Sequence, residues 1–332
     1  MTTNGYSPAW WLPSPHLQTV WGRLARPRQV VAFRRESLTT PDGDELLVDH
    51  AGDDGAATRL FLLHGLEGSS NSVYVQGMAQ LALARGFAVT AINFRYCARD
   101  QRDLERCIPN RRPRLYHSGE TTDFDFVVNE LARRSPATRR LAIGTSLGGN
   151  VVLKWLGEHP GQQLVHAAAA LSVPYDLGEG GAYMESGLGP FYIRAFVRTL
   201  VEKATHIVRA FPDMASKLDI ERIGRSSTFR EFDDAATAPL HGLSGADEYY
   251  ATCSSIRFLD RITTPVLCLS ALDDPFLPPY VIDRVRALLP SCAELVVTKK
   301  GGHIGFVTGS LFKPSYWAEE LAVGWVAARG AN

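Results

Sequence analysis

The pentapeptide Gly144-Thr145-Ser146-Leu147-Gly148 constrains this chain more than any other stretch. It closes the apolar run Leu141-Ala142-Ile143 and opens the helical pattern Asn150-Val151-Val152-Leu153-Lys154-Trp155-Leu156. A strand that turns straight into a helix through Gly-x-Ser-x-Gly holds its serine on a tight, strained bend. The glycines remove side chains that would collide with the neighbouring strand and helix. The bend lifts the Ser146 hydroxyl off the sheet and sets the Leu147 amide beside it, at a helix N-terminus. The pattern alone arises by chance in about one chain of this length in ten. Its partners therefore decide what it means.

A serine nucleophile needs a base, the base needs an orienting carboxylate, and the oxyanion needs a second donor. Behind such an elbow the partners follow in the order Ser, acid, His. The run Pro265-Val266-Leu267-Cys268-Leu269-Ser270-Ala271 reads as a buried strand and leads into Leu272-Asp273-Asp274-Pro275-Phe276-Leu277-Pro278. The Asp-x-x-x-Pro spacing favours Asp274 as the acid, with Asp273 as the other candidate. The strand pattern Ala293-Glu294-Leu295-Val296-Val297-Thr298 precedes Gly301-Gly302-His303-Ile304-Gly305-Phe306, and its loop frees His303 to reach across the sheet edge. The glycine-rich loop His64-Gly65-Leu66-Glu67-Gly68 follows the strand pattern Leu60-Phe61-Leu62-Leu63, which makes the Leu66 amide the second oxyanion donor beside that of Leu147. His64 at the strand end reads as a residue that shapes the loop. Ser69, Ser70 and Ser244 lack the strand or the second glycine that an elbow needs.

At 332 residues the chain can bury one large core, or one core with an inserted cap. Lysines plus arginines and aspartates plus glutamates stand at 35 each, so no general attraction to nucleic acid follows. The short cluster Arg111-Arg112-Pro113-Arg114 reads as a solvated loop. No apolar run approaches the 18 or so residues that a transmembrane helix needs. The N-terminus lacks the charged start and apolar core of a signal peptide. Five cysteines without framework spacing fit a reducing cytoplasm, although Cys97 and Cys107 are a conceivable pair. No zinc-ligand spacing, phosphate loop or dinucleotide fingerprint is present, so neither a metal nor an organic cofactor is expected.

Strand patterns near 30–38, 45–50, 58–64, 87–93, 139–145, 166–172, 265–271 and 293–298 alternate with helical ones at 72–85, 122–134, 147–158, 280–289 and 314–328. That alternation predicts an α/β fold: a mostly parallel, doubly wound sheet with its active groups at the strand C-terminal ends. The rhythm breaks between residues 173 and 250, which predicts a helical cap inserted at the rim. The expected division is an N-terminal arm (1–29), a core (30–172 and 251–332) and that cap. Met184, Phe191, Tyr192 and Phe196 suit either an acyl pocket or the cap's own small core.

The chain resembles the alpha/beta-hydrolase superfamily and, within it, the YheT-like carboxylesterases and phospholipase-related proteins. The more specific matches lie outside the triad: Trp11-Leu12-Pro13-Ser14-Pro15-His16-Leu17-Gln18-Thr19-Val20, Asn93-Phe94-Arg95, Tyr116-His117-Ser118-Gly119-Glu120-Thr121-Thr122-Asp123, Phe232-Asp233-Asp234 and Gly301-Gly302-His303-Ile304-Gly305-Phe306. The resemblance implies a serine hydrolase with the triad Ser146, Asp274 and His303, acting on a small-molecule carboxylic ester without metal or cofactor. One departure stands out. The family's usual Gly after Asn-Phe-Arg is Tyr96 here, and extra residues up to Cys107 precede Pro109-Asn110. The longer loop affects the expected substrate preference and leaves the triad untouched. An acyltransferase working through the same acyl-enzyme, and a non-catalytic binding protein on the same scaffold, are the alternative readings.

Overall fold

A computed structural model describes residues 5–26 and 31–329. Its main sheet has eight strands: β1 (Arg34–Thr39), β2 (Glu45–Ala51), β3 (Thr58–Leu63), β4 (Ala88–Ile92), β5 (Arg139–Thr145), β6 (Ala167–Leu171), β7 (Val266–Ala271) and β8 (Ala293–Thr298). They lie in the order β1-β2-β4-β3-β5-β6-β7-β8. The pairings β1–β2 and β2–β4 are antiparallel, and every later one is parallel.

Strands β3 to β7 are apolar on both faces because helices cover both. Helices α1 (Pro15–Ala25), α2 (Val73–Leu83), α3 (Thr121–Arg134) and α4 (Leu147–Glu158) come first in the chain. Between β6 and β7 run α5 (Leu177–Met184), α6 (Gly189–Ala210), α7 (Ile220–Arg225), α8 (Phe229–Phe232), α9 (Ala238–Leu240) and α10 (Ala246–Cys253). Helix α11 (Val281–Leu288) joins β7 to β8, and α12 (Trp317–Arg329) ends the described chain. Alternate side chains of each strand feed opposite layers, as a period of two requires. Phe61 and Leu63 pack with α3, α4 and α11, whereas Leu60 and Leu62 pack with α2 and α12. The small residues Ala167 to Ala170 of β6 let α4 and α12 approach from either side.

Two local differences from the sequence reading have physical causes. Residues 313–316 pair antiparallel with 307–310 in a hairpin, β9 (Val307–Ser310) and β10 (Lys313–Tyr316), so α12 begins at Trp317 rather than 314. The first strand starts at Arg34 rather than 30; residue 30 lies outside the described residues, as do 1–4 and 27–29 of the expected arm and 330–332 of the expected core. Within that arm, Ser14 caps α1 by accepting from the His16 amide at 3.2 Å, and Pro15 occupies the first turn. Cys97 and Cys107 both keep free thiols. Among the described residues no helix is long and apolar enough to cross a membrane.

Candidate active site

Ser146 sits between β5 and α4 with φ 52° and ψ −120°, a conformation that a non-glycine residue holds only when its surroundings dictate it. The surroundings are explicit. A Cβ on Gly144 would strike the Gly148 carbonyl, and one on Gly148 would strike the carbonyls of Leu63 and His64. The Ser146 amide is fixed by the Leu171 carbonyl of β6 at 2.7 Å.

From this elbow a chain of contacts crosses the rim. Ser146 Oγ lies 2.9 Å from His303 Nε2, and His303 Nδ1 lies 2.9 and 3.1 Å from the two oxygens of Asp274. An ionised carboxylate only accepts, so Nδ1 carries the imidazole proton and Nε2 presents its lone pair to the serine hydroxyl. Asp274 is 1% exposed and takes a further hydrogen bond from the Phe276 amide at 2.8 Å. The Phe276 ring packs on His303 with centroids 4.4 Å apart. Asp273 points elsewhere. Its Oδ1 accepts from the Gly302 amide at 3.0 Å, so it ties down the loop and leaves the ring to Asp274. Burial, reinforced by the charge of Asp274, raises the Asp273 pKa.

The loop that carries His303 is clamped by the N-terminal arm. Thr19 Oγ1 accepts from the His303 amide at 2.9 Å and donates to the Pro15 carbonyl at 2.7 Å. Gln18, 2% exposed, accepts from the Val307 amide at 2.8 Å. Gly302 holds φ +60°, and a Cβ there would lie 2.5 Å from the Pro15 carbonyl. Ser172, just past β6, accepts from the Ile304 amide at 3.2 Å. The sequence reading gives neither Thr19 nor Ser172 a role, although Thr19 lies in the Trp11–Val20 match and Ser14-Pro15 is a legible helix start that places α1.

The loop after β3 approaches the serine closely: a Cβ on Gly65 would lie 3.1 Å from Ser146 Cβ. Gly65 N–H donates to Tyr74 Oη and Glu67 N–H to Tyr116 Oη, each at 2.8 Å. These bonds leave Leu66 between two anchored neighbours, and Leu147 at the first turn of α4, where amides have no intrahelical acceptor. His64 accepts the Phe94 amide on Nε2 at 3.1 Å and donates from Nδ1 to the Gly65 carbonyl at 2.7 Å. Burial drives its pKa down to about 4, so it stays neutral and shapes the loop. Glu67 pairs with Lys203 of α6 at 2.6 Å, both nine-tenths buried, which joins this loop to the helical insertion.

A cavity of about 590 Å³ has Ser146, Leu66, Leu147 and His303 in its wall. The insertion contributes Met184, Tyr192, Phe196 and Phe229, and the extended loop contributes Arg99, Leu104 and Glu105. Tyr96, where the resemblance leads one to expect glycine, adopts φ +61°. Left-handed backbone costs a non-glycine residue about 1–2 kcal/mol. Asn110 Oδ1 offsets that by accepting from the Tyr96 amide at 2.7 Å, so the longer loop supports its own irregular residue.

One cluster among the described residues has the spacing of metal ligands: His117, Glu120 and His241, with ligand atoms within 4.8 Å of one another. Its donor atoms are engaged. Arg114 holds Glu120 at 2.6 Å, the Gly119 amide donates to His117 Nδ1 at 3.1 Å, and His241 Nε2 donates to the Leu115 carbonyl at 2.8 Å. A metal on His117 Nε2 would require a proton on Nδ1, where the Gly119 N–H already points. Burial, with His241 beside it, lowers the His117 pKa to about 3. The set suits an Arg114–Glu120 ion pair flanked by an uncharged His117 better than a metal cation.

Comparison with known proteins gives the family. The profile of the alpha/beta hydrolase fold matches residues 58–310. An esterase from Pyrococcus furiosus superposes with a TM-score of 0.55 at 17% identity, covering 91% of this chain and 92% of its own, which speaks to the fold alone. The chain belongs to the alpha/beta-hydrolase superfamily. It is 35% identical to the putative esterase YheT of Escherichia coli, over 94% of this chain and 89% of that protein. It is 28% identical to the phospholipase ABHD3 of Bos taurus, over 99% of this chain and 79% of the relative. Within the superfamily its place is the YheT-like family.

Proposed function

We propose that this protein cleaves carboxylic esters through an acyl-enzyme on Ser146, with His303 as general base and Asp274 as its orienting acid. That it is a carboxylic ester hydrolase follows from its family, whose members include an esterase and phospholipases by name. The observation that carries the finer reading is the unbroken series Asp274–His303–Ser146, with both links as short as 2.9 Å, in the wall of the cavity.

In this mechanism His303 Nε2 takes the Ser146 proton as the hydroxyl attacks the ester carbonyl. Asp274 keeps the imidazole in the required tautomer and stabilises the imidazolium. The Leu66 and Leu147 amides receive the oxyanion, and one such donor typically lowers the barrier by about 3–4 kcal/mol. His303 then protonates the leaving alcohol. Water, activated by the same base, releases the acid and restores the serine.

Residues 173–250 act as the cap of this site, and the described part of the 1–29 arm, residues 5–26, lies on the core formed by the described parts of 30–172 and 251–332. Met184, Tyr192, Phe196 and Phe229 give the acyl group an apolar wall, which suits short to medium chains and lipid esters. The five free thiols fit a reducing cytoplasm. The test is a panel of p-nitrophenyl esters from acetyl to palmitoyl, run with wild type and Ser146→Ala. The alanine variant should keep its melting temperature and lose nearly all turnover. A fluorophosphonate should add a single mass on the peptide that contains Ser146. Substantial activity in the variant, or labelling elsewhere, would refute the assignment.

A further inference from the structure

Three neighbouring elements hold large apolar side chains out in solvent. At the tip of the β9–β10 hairpin Leu311 is 48% exposed and Phe312 is 95% exposed. On α1, Leu17 and Leu24 lie seven residues apart, hence on one face, and Leu24 is 76% exposed. At the start of α6, Phe191 is 72% exposed. Isolated exposed apolar residues are ordinary, but a contiguous group of them marks an interaction surface.

The elements that carry this group adjoin one another. Helix α1 packs on the base of the hairpin, where Gln18 accepts from the Val307 amide at 2.8 Å and Arg26, just past the helix, sets its guanidinium 3.7 Å from the centre of the Tyr316 ring. Trp11 Nε1 donates to the Gly309 carbonyl at 3.0 Å. At its other end α1 meets α6, where His16 Nδ1 lies 3.2 Å from Tyr192 Oη. The large cavity extends to both helices, taking in exposed Arg23 on α1 and exposed Arg198 on α6. The outer end of that cavity thus lies at exposed residues of the same two helices that carry Leu17, Leu24 and Phe191.

Charge tells which partner fits. The chain as a whole has a formal net charge of zero. Yet residues 5–25, 189–201 and 307–316 contain no acidic residue, while Arg23, Arg194, Arg198 and Lys313 are exposed among them. Glu202, one turn beyond Arg198, is the acid that partners it, at 4.0 Å. Apolar tips set in a basic collar match a bilayer interface, where rings and aliphatic chains enter the acyl boundary and cations meet anionic headgroups.

We propose that α1, the start of α6 and the β9–β10 hairpin form a docking face for the surface of a bilayer that carries anionic phospholipids. The outer end of the cavity then faces the lipid, so an ester can pass from the bilayer toward Ser146 without crossing bulk water. The docking itself is independent of the chemistry at Ser146.

Vesicle flotation with the full chain tests it. Wild type should float with phosphatidylcholine vesicles containing phosphatidylglycerol and stay behind with phosphatidylcholine alone. Its binding should weaken in high salt, since each basic group near such a surface is worth about fivefold in partition. Leu311→Ser/Phe312→Ser should bind at least tenfold more weakly while melting at the wild-type temperature and keeping its turnover of a soluble short ester. Arg194→Glu/Lys313→Glu should also lose the anionic preference. A wild type that ignores anionic vesicles, or a Leu311→Ser/Phe312→Ser variant that floats like wild type, overturns the proposal. So does a wild-type dimer in sedimentation that the same double variant dissolves without any effect of lipid, because the face then serves self-association.

Discussion

Replacing Thr19 with valine isolates the contribution of the N-terminal arm to His303, the proposed base. The substitution keeps the shape of the side chain and removes one oxygen. That oxygen accepts from the His303 amide at 2.9 Å, and His303 is only 6% exposed, so water is poorly placed to substitute. A buried amide left without an acceptor costs about 1–3 kcal/mol. The loop either bears that cost in place or shifts to relieve it, and a shift moves Nε2 away from its 2.9 Å contact with Ser146 Oγ. Misplacement by about 1 Å costs on the order of a hundredfold in rate, so kcat should fall roughly 10- to 100-fold with KM little changed. Thr19→Ser, which retains the acceptor, should recover most of the loss. The assay is kcat and KM on a soluble p-nitrophenyl ester beside thermal melting of all three proteins. Wild-type kcat in Thr19→Val would refute the argument. Equal damage in Thr19→Ser would shift the cause from the hydroxyl to the methyl group's packing.

Asp274→Asn should lower kcat by about 10⁴-fold, because the amide favours the wrong imidazole tautomer. Asp273→Asn keeps an acceptor for the Gly302 amide and should stay within about tenfold of wild type; the reverse ranking, read by initial rates, would reassign the acid. Lys203→Met strands the buried Glu67 carboxylate and should destabilise by about 3–5 kcal/mol in urea unfolding, most of it regained in Glu67→Gln/Lys203→Met. Burial raises the Asp233 pKa to about 7, with neighbouring Asp234 adding to the effect, so the folded state keeps a proton that the unfolded chain releases near pH 4. Its stabilising contribution is complete below about pH 4 and is lost as pH rises to about 7, so Asp233→Asn should gain a few kcal/mol on wild type between urea midpoints at pH 4 and pH 8.

The parts of the fold legible in the sequence are those whose causes are local. Leu60 to Leu63 and Ala167 to Leu171 read as buried strands because both faces of each meet helices. The elbow reads directly because Gly144 and Gly148 are demanded by atoms within a few residues, or by the strand next door. Between residues 173 and 250 the break in rhythm and the helical pattern at 191–201, which lies within α6, are legible, but the shorter helices α7 to α10 are not, because the segment's apolar residues serve a core, a cavity wall and an exposed face at once. The β9–β10 hairpin was hidden for another reason. Pro314 and Ser315 carry little strand propensity, and the pairing of Tyr316 with Val307 is what makes them extended.

The same distinction separates the two halves of the candidate site. Ser146 is positioned by backbone: its own strained φ, the glycines beside it and the Leu171 carbonyl of the adjacent strand. His303 is positioned by side chains from distant segments. Asp273 takes the amide of Gly302, Thr19 takes that of His303, and Ser172 takes that of Ile304, so three successive amides are held by three parts of the chain. The contact between Thr19 and His303 spans 284 residues. Such a base is as mobile as its least secure anchor, whereas the nucleophile is fixed as soon as β5 pairs and α4 forms. Perturbing the arm should therefore act on the base and leave the nucleophile in place. A Thr19→Val enzyme that turns over slowly should accordingly bind alkyl boronates, which bond to the serine, far less impaired than its kcat.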